Sequence, residues 1–367
     1  MTPFARLARA AGILGVTLGA MSLLAVTCFL FPAQLTSPAL REVYPMPFMR
    51  ALLQSVIITS FALGVVDVFG RARVRCAGAY AIGFATVAVL LGGAEVPVNG
   101  LVAKSDYLGL DWFLLDLLVV GLVFIPLERA LARRRDQGIF RPRWRTDLVY
   151  FFIDHLLLQV TTFLTIAPAR VFFAWAVSSK LQVAVASQPA VLQFAQLVVT
   201  SDLTQYAVHR AAHRFAFLWR IHAVHHSVEQ LDWLAGSRIH FLDLVLTRAI
   251  PFIPIFVFGF SPGAVLAYLV FLAFHATFNH TNVGVRFRGI ERVMVTPRYH
   301  HWHHSSEKAA IDTNFALHLT FVDRIFGTHH LPPGDAWPAT YGLDGERLPN
   351  GYFGQFLHPF RLPPRAE

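Results

Sequence analysis

The stretch HRAAHRFAFLWRIHAVHH, residues 209–226, together with TPRYHHWHHS, residues 296–305, decides how this chain is read. His209 and His213 are spaced i, i+4. His222, His225 and His226 are spaced i, i+3, i+4, and His300, His303 and His304 repeat that pattern. Such spacings put side chains on one face only if the backbone is helical. Thr296-Pro297 is a helix-start signal ahead of the last cluster. A ninth histidine, His280, stands in FNHTN. Neutral imidazole is a metal ligand, and nine exceed what one ion can use. Adjacent His225 and His226 can diverge to two ions, so the pattern implies a two-metal, nitrogen-rich site and oxygen chemistry.

Working outward, the 367 residues are 55% hydrophobic and only 14% charged, with a mean hydropathy of +0.51. Soluble domains carry about 25% charged residues, so the chain reads as an integral membrane protein. Its 31 basic against 22 acidic residues give a net charge of +9. The basic residues flank apolar runs, which fits membrane topology and argues against nucleic acid. Arginine dominates, with Lys104, Lys180 and Lys308 the only lysines, a bias suggesting a GC-rich bacterial genome and an inner-membrane protein. Cys28 and Cys76 lie in or beside apolar segments and support neither a disulfide framework nor a cysteine-based zinc site.

Apolar runs near 11–31, 51–69, 77–95 and 109–127 form an N-terminal membrane block, 1–127. The first is long enough to span and reads as an uncleaved helix rather than a signal peptide. Further runs lie near 147–168, 189–208, 241–258 and 262–280. The expected fold is therefore an all-α bundle of about eight spans with a cytosolic, histidine-rich helical cap. The basic segment 128–146 is the expected linker, 147–330 the metal domain, and 331–367 a Pro/Gly-rich tail covering the cytosolic face. Leu362-Pro363-Pro364 in that tail has no helical character. Asp67, Asp111, Asp116, Asp154 and Asp202 interrupt the runs, and intramembrane carboxylates face the bundle interior.

With a cytosolic N-terminus, the inside loops hold twelve arginines: Arg6, Arg9, Arg71, Arg73, Arg75, Arg129, Arg133, Arg134, Arg135, Arg141, Arg143 and Arg145. The outside loops hold five basic residues, Arg41, Arg50, Lys104, Arg170 and Lys180. That bias fixes the orientation. It also places 209–240 and 281–367 on the cytosolic side, so charge alone brings every histidine cluster to one membrane face.

A single HxxxH is most often an ordinary polar helix face; three clusters on one membrane face are not. Asp202 precedes His209 by seven residues on the same face and is a candidate acceptor for a ligand's free N–H. Tyr206 and Asn282 are further candidates for that supporting role. HExxH is absent, which removes a zinc-peptidase reading, and no ExxH pair supports a carboxylate-rich di-iron bundle. Imidazole suits iron, copper, nickel and zinc. Two irons fit nine histidines best, with copper as the alternative. Asn279-His280-Thr281 and Ser305-Ser306-Glu307-Lys308 match a glycosylation sequon and SxxK by accident. With no glycine-rich nucleotide loop, electrons must come from a separate protein.

HRAAHR, LWRIHAVHHS and TPRYHHWHHS resemble the HxxxH, HxxHH and HxxHH motifs of the fatty acid hydroxylase / sterol desaturase superfamily of membrane di-iron proteins. NHTNV and DTNFALHLTFVDRIFGTHH, residues 312–330, extend the resemblance over roughly 140–330; the first four spans lie outside it. The resemblance implies that His209, His213, His222, His225, His226, His300, His303 and His304 ligate iron and that His280 joins them. It adds His240, in RIH, as a ligand or supporting group; His275, five residues before His280, is a further candidate, with a packed or pore-facing histidine as the equal alternative. His301 falls outside the motif register, and His155, His318, His329, His330 and His358 read as structural. Where family members often carry Asn-Tyr-Gly and Trp-Asp, this chain has Asn314-Phe315-Ala316 and Val322-Asp323, which blurs any subgroup. The implied activity is O2-dependent hydroxylation of an unactivated C–H bond in a lipid: an acyl chain, sterol-like molecule, carotenoid or polar lipid. Electrons would come from a ferredoxin, a cytochrome b5-like protein or a reductase. Desaturation at the same site is the alternative outcome. The rival class is a metal transporter or non-catalytic metal-binding membrane protein; transporters place ligands near the bilayer midplane, whereas these clusters sit at span ends.

Overall fold

The computed structural model describes residues 3–37, 45–71, 77–97, 109–345 and 347–361. Cys76, the loop residues Arg41, Arg73, Arg75 and Lys104, and Leu362-Pro363-Pro364 lie outside them. Among the described residues the protein is all helical, without a strand. The elements divide into two compact units: Met1–Leu118 with His155–Gln159, and Val119–Asp154 with Val160–Glu367.

In the first unit, α1 (Pro3–Leu30), α2 (Met46–Arg71) and α3 (Ala77–Leu90) pack mainly on one another. Apolar side chains gain little from leaving lipid, so close backbone approach replaces hydrophobic burial as the driving force. A Cβ on Gly64 would stand 2.8 Å from the carbonyl of Gly78, and one on Gly78 would stand 2.4 Å from that of Gly64. Asp67 is fully buried and accepts the Gly78 N–H at 2.8 Å. Asp111 is buried as well and accepts the Ser37 N–H at 2.8 Å. Asp116 meets His155 Nε2 at 3.1 Å. These carboxylates face protein, as the cost of an intramembrane charge requires.

Six helices are long and apolar enough to span a membrane: Leu7–Leu30, Met46–Gly70, Ala77–Glu95, Leu110–Leu131, Phe241–Phe258 and Pro262–His280. Two bent pairs raise the number to eight if each counts as one span. The expected run 147–168 is one of them, with Trp144–Leu156 and Val160–Phe172 at 56°. The run 189–208 belongs to the other, in which Ser179–Ala186 and Ala190–Arg214 meet at 119°.

The second unit takes up α4 (Leu110–Leu131) from Val119, then α5 (Trp144–Leu156), α6 (Leu158–Phe172) and α7 (Ser179–Ala186). It continues with α8 (Ala190–Arg214), α9 (Ala216–His226), α10 (Phe241–Phe258) and α11 (Pro262–His280). Short helices α12 (Pro297–His303), α13 (Thr320–Ile325) and α14 (Tyr352–Leu357) complete it. Thr296 caps α12, its side chain accepting from the Tyr299 N–H, with Pro297 in the first turn. The core joins Leu197 and Tyr206 of α8, Ala264 and Tyr268 of α11, and Tyr299 of α12 to Phe315, Leu319 and Val322.

Residues 128–146 lie inside this unit. Arg141 is buried and bridges Asp147 at 2.6 Å and Asp232 at 2.7 Å, while Arg238 reaches Asp147 at 2.5 Å. Four charges out of water persist because each is paired and hydrogen-bonded. The network ties α5 to the segment between α9 and α10, which carries part of the candidate site.

Candidate metal centre

The 209–226 stretch is two helices folded back on each other, because the helix breaks at Phe215 (φ −101°, ψ 121°). That turn brings His209 and His213, at the end of α8, against His222, His225 and His226 of α9. The end of α11 delivers His280, and α12 delivers His300 and His303 with His304 just beyond it. The nine histidines fall into two groups: His209, His213, His222, His226 and His303; and His225, His280, His300 and His304. Within each group the nitrogens offered lie within 4.8 Å of one another. Each HxxHH motif is split between the groups, so neighbouring side chains fall in different groups.

Hydrogen bonds on the far side of the rings fix which nitrogen faces inward. His209 Nδ1 donates to the Phe315 carbonyl at 2.8 Å, and His303 Nδ1 to that of Thr313 at 2.8 Å. His225 Nδ1 donates to Arg238 O at 3.1 Å, and His280 Nδ1 to Ala276 O at 2.8 Å. His222 Nδ1 faces Asp243 at 2.8 Å, and His213 Nδ1 faces Asp312 at 3.1 Å. A carbonyl or carboxylate can only accept, so these Nδ1 atoms carry the proton and Nε2 presents a lone pair. Nε2 of His225 and His280 stand 3.2 Å apart. Two lone pairs at that distance repel unless a cation lies between them. Nε2 of His209, His222 and His303 are buried with no hydrogen-bond partner among the described residues, an expense that binding a cation removes.

The spacing suits a metal ion. His300 Nε2 lies 3.0 Å from His280 Nε2, and His304 Nε2 lies 3.1 Å from His300 Nε2. His213 Nε2 and His226 Nε2 are 3.2 Å apart. Metal–imidazole bonds of about 2.1 Å at right angles give a nitrogen separation of about 3.0 Å. Five of the imidazoles are also held neutral, as ligands must be. Burial, then repulsion from neighbouring imidazoles, drives His225, His226, His300, His303 and His304 well below the usual 6.5.

Several expectations need correction. His240 caps α10: its Nδ1 accepts the Leu242 N–H at 3.1 Å and its Nε2 donates to Phe356 O at 2.9 Å. His275 spends Nε2 on Val295 O at 3.0 Å and Nδ1 on His318 at 2.8 Å. Neither has a nitrogen left for a metal, and neither joins a group. Five residues of helix turn His275 away from His280. His301 also stays outside both groups, bonded to Thr281 O and the Tyr341 hydroxyl.

Asp202 supports no ligand N–H. It accepts three backbone N–H groups, from Leu317 at 2.7 Å, His318 at 3.1 Å and Leu319 at 2.7 Å. Tyr206 pairs its hydroxyl with Thr328 Oγ1 at 3.0 Å. The Asn282 side chain clasps the Arg134 backbone at 2.9 and 3.0 Å. The supporting acceptors are instead Asp243, Asp312 and backbone carbonyls. Asp312 and Asn314 have φ of 60° and 59°, a left-handed conformation that Asp and Asn tolerate better than most residues. These two residues shape the loop that turns Thr313 O and Phe315 O toward His303 and His209. Carbonyls leave no mark on side-chain spacing; the one sequence signal was DTNF itself, which holds Asp312, Thr313 and Phe315.

Residues 194–328 match the family model described as fatty acid hydroxylase. They are a fatty acid hydroxylase domain. The motif resemblance to the wider fatty acid hydroxylase / sterol desaturase superfamily therefore holds, and the domain contains all nine clustered histidines. The chain is 33% identical over 180 residues to ornithine lipid hydroxylase OlsE of Rhizobium tropici, covering 49% of this chain and 54% of that protein. It is 32% identical over 127 residues to alkylglycerol monooxygenase of Homo sapiens, covering 35% of this chain and 28% of that protein. For the Danio rerio alkylglycerol monooxygenase the identity is 32% over 149 residues, covering 39% and 31%. The matches thus span about half of the first relative and under a third of the others. No solved structure matches the chain.

Proposed function

We propose that this chain is a non-haem di-iron oxygenase that hydroxylates an unactivated C–H bond of a bilayer lipid, using O2 and electrons from a separate donor protein. The observation that carries it is the pairing of inward lone pairs: nine imidazoles in groups of five and four, with carbonyls and carboxylates taking the outward N–H groups of six of them. His209, His213, His222, His226 and His303 would hold one ion, and His225, His280, His300 and His304 the other. Bound iron supplies O2 activation and hydrogen abstraction, chemistry no side chain here provides.

The chain's own contribution is binding, orientation and exclusion of water. Burial of His222, His225, His226, His280 and His300 keeps bulk water from the reacting space. Of the helices that end at the site, α11 is a candidate span and α8 is the longer half of a bent pair that qualifies as one, so a lipid would reach it laterally from the bilayer. Relatives whose names are hydroxylase and monooxygenase favour oxygen insertion over desaturation. The inside-loop arginines support a cytosolic site and an inner-membrane location, where a ferredoxin, cytochrome b5-like protein or reductase could dock.

The test is lipid mass spectrometry on membranes expressing the protein or its His225→Ala variant. A lipid gaining one oxygen only with the intact protein is expected. A lipid losing two hydrogens would replace hydroxylation with desaturation, and no lipid change with iron-loaded protein would overturn the oxygenase reading.

A further inference from the structure

A cavity of about 340 Å³ lies within the first unit, lined by the second half of α1, the first half of α2 and the start of α4. All three helices are candidate spans. The volume falls in the range of roughly 300–1,000 Å³ found for ligand pockets, which are mostly apolar with a few polar groups.

The packing of the helices accounts for the cavity. Helices α1, α2 and α3 close on one another, whereas α4 approaches them only sparsely. Asp111, in the first turn of α4, accepts the N–H of Ser37, beyond the end of α1, at 2.8 Å. The start of α4 is thus pinned, while Leu115 and Leu118 face the cavity with Ala25 of α1 and Val56 of α2.

Only Ser22, Thr36 and Asp111 among the lining residues are polar, and each is engaged within the protein. Ser22 donates to the Gly19 carbonyl at 2.8 Å, and Thr36 to that of Pro32 at 2.6 Å. Asp111 accepts from Ser37 and from the Trp112 N–H at 2.9 Å. The lining therefore asks no polar group of a ligand. Three of the chain's five methionines, Met21, Met46 and Met49, line the cavity. Their unbranched, polarizable side chains adapt to a partner without one fixed shape. Apolar cavities of this kind exclude water and accept hydrocarbon, and hydrocarbon is the medium around a spanning helix.

We propose that this cavity binds one acyl chain of a membrane phospholipid, at a lipid site that shares no residue with the metal centre. The head group stays outside, so the site selects the chain and is indifferent to the head. The proposal goes beyond the oxygenase reading and does not depend on it.

The experiment is photolabelling of the full, metal-loaded chain in nanodiscs of phosphatidylglycerol and phosphatidylethanolamine, one of which carries a diazirine at the end of an acyl chain. Labelled residues are mapped by peptide mass spectrometry. Label should concentrate on Met21, Ala25, Met49 and Leu115 over Tyr80 and Leu90, which are exposed on α3, and should do so whichever lipid carries the probe. Ala25→Phe and Val56→Phe each put a ring into the cavity in place of about two methylene groups of the chain, so labelling there should fall by about tenfold. Labelling of Tyr80 and Leu90 should not change. The two substitutions sit on different helices, and either one with the parent's melting temperature suffices. Equal labelling of cavity and exposed positions in the parent protein overturns the proposal. So does a raised melting temperature in Ala25→Phe with labelling unchanged, which marks an ordinary packing gap. Labelling by one lipid alone would assign the site to a head group, and displacement of the probe by palmitic acid at equal mole fraction would assign it to a free fatty acid; both contradict it. Labelling needs no turnover, so a protein that holds the chain yet oxidises no lipid would fail the oxygenase reading alone.

Discussion

His222 Nδ1 lies 2.8 Å from Asp243 Oδ2, with both side chains buried. The carboxylate fixes the tautomer and makes Nε2 a stronger donor to metal. Asp243→Asn keeps an acceptor in place and removes the charge. Metal affinity, measured by competition with a chromophoric chelator, should fall by about 10–100-fold. Asp312 faces His213 at 3.1 Å but is 63% exposed, so solvent screens it. Asp312→Asn should cost markedly less; equal losses would show that the carboxylates do not act through their charge.

His240→Ala and His275→Ala should leave metal stoichiometry unchanged. Losing the cap of α10 should lower stability by about 1 kcal/mol, read as a small drop in melting temperature. Loss of a metal from either variant would restore that residue to the ligand set.

Asp147 binds two arginines, Arg141 and Arg238, and the Arg238 carbonyl holds His225. Asp147→Asn leaves two buried guanidinium groups short of charge and should destabilise by about 3–5 kcal/mol. Thermal unfolding in detergent checks this; a melting temperature within a degree of the parent would contradict it.

Much of the site is legible because helix periodicity is short-ranged: three motifs and His280 mark nine ligand candidates. The fold class followed equally from apolar runs and loop charge. What the sequence could not carry was the third dimension. The break at Phe215 that folds α8 onto α9 has no proline or glycine to announce it. The division of His225 and His226 between groups was readable, but the assignment of His303 away from His300 was not. Asp202 looks like a ligand's partner from spacing on α8, whereas a long-range loop engages both its oxygens.

Acid should destabilise the metal-free protein. His225, His226, His300, His303 and His304 sit well below 6.5, and burial, followed by the nearby His280, takes His301 down to about 3. Below about 6.5 the unfolded chain protonates these rings and the folded chain does not. Their contribution is therefore complete above the unfolded value and declines as pH falls, by up to about 1.4 kcal/mol per pH unit for each ring. Denaturant midpoints at pH 7.5 and 5.5 test this: the lower pH should give the lower midpoint, and an equal or higher one would contradict the burial argument.

The two-metal centre is tested most directly by counting metal on the purified full chain, reconstituted anaerobically with ferrous iron and freed of excess. Inductively coupled plasma mass spectrometry should find two irons per chain. In His222→Ala with His303→Ala, which strips the five-histidine group alone, it should find one. Saturation at a single iron per chain, or none retained by the parent protein, would contradict the account.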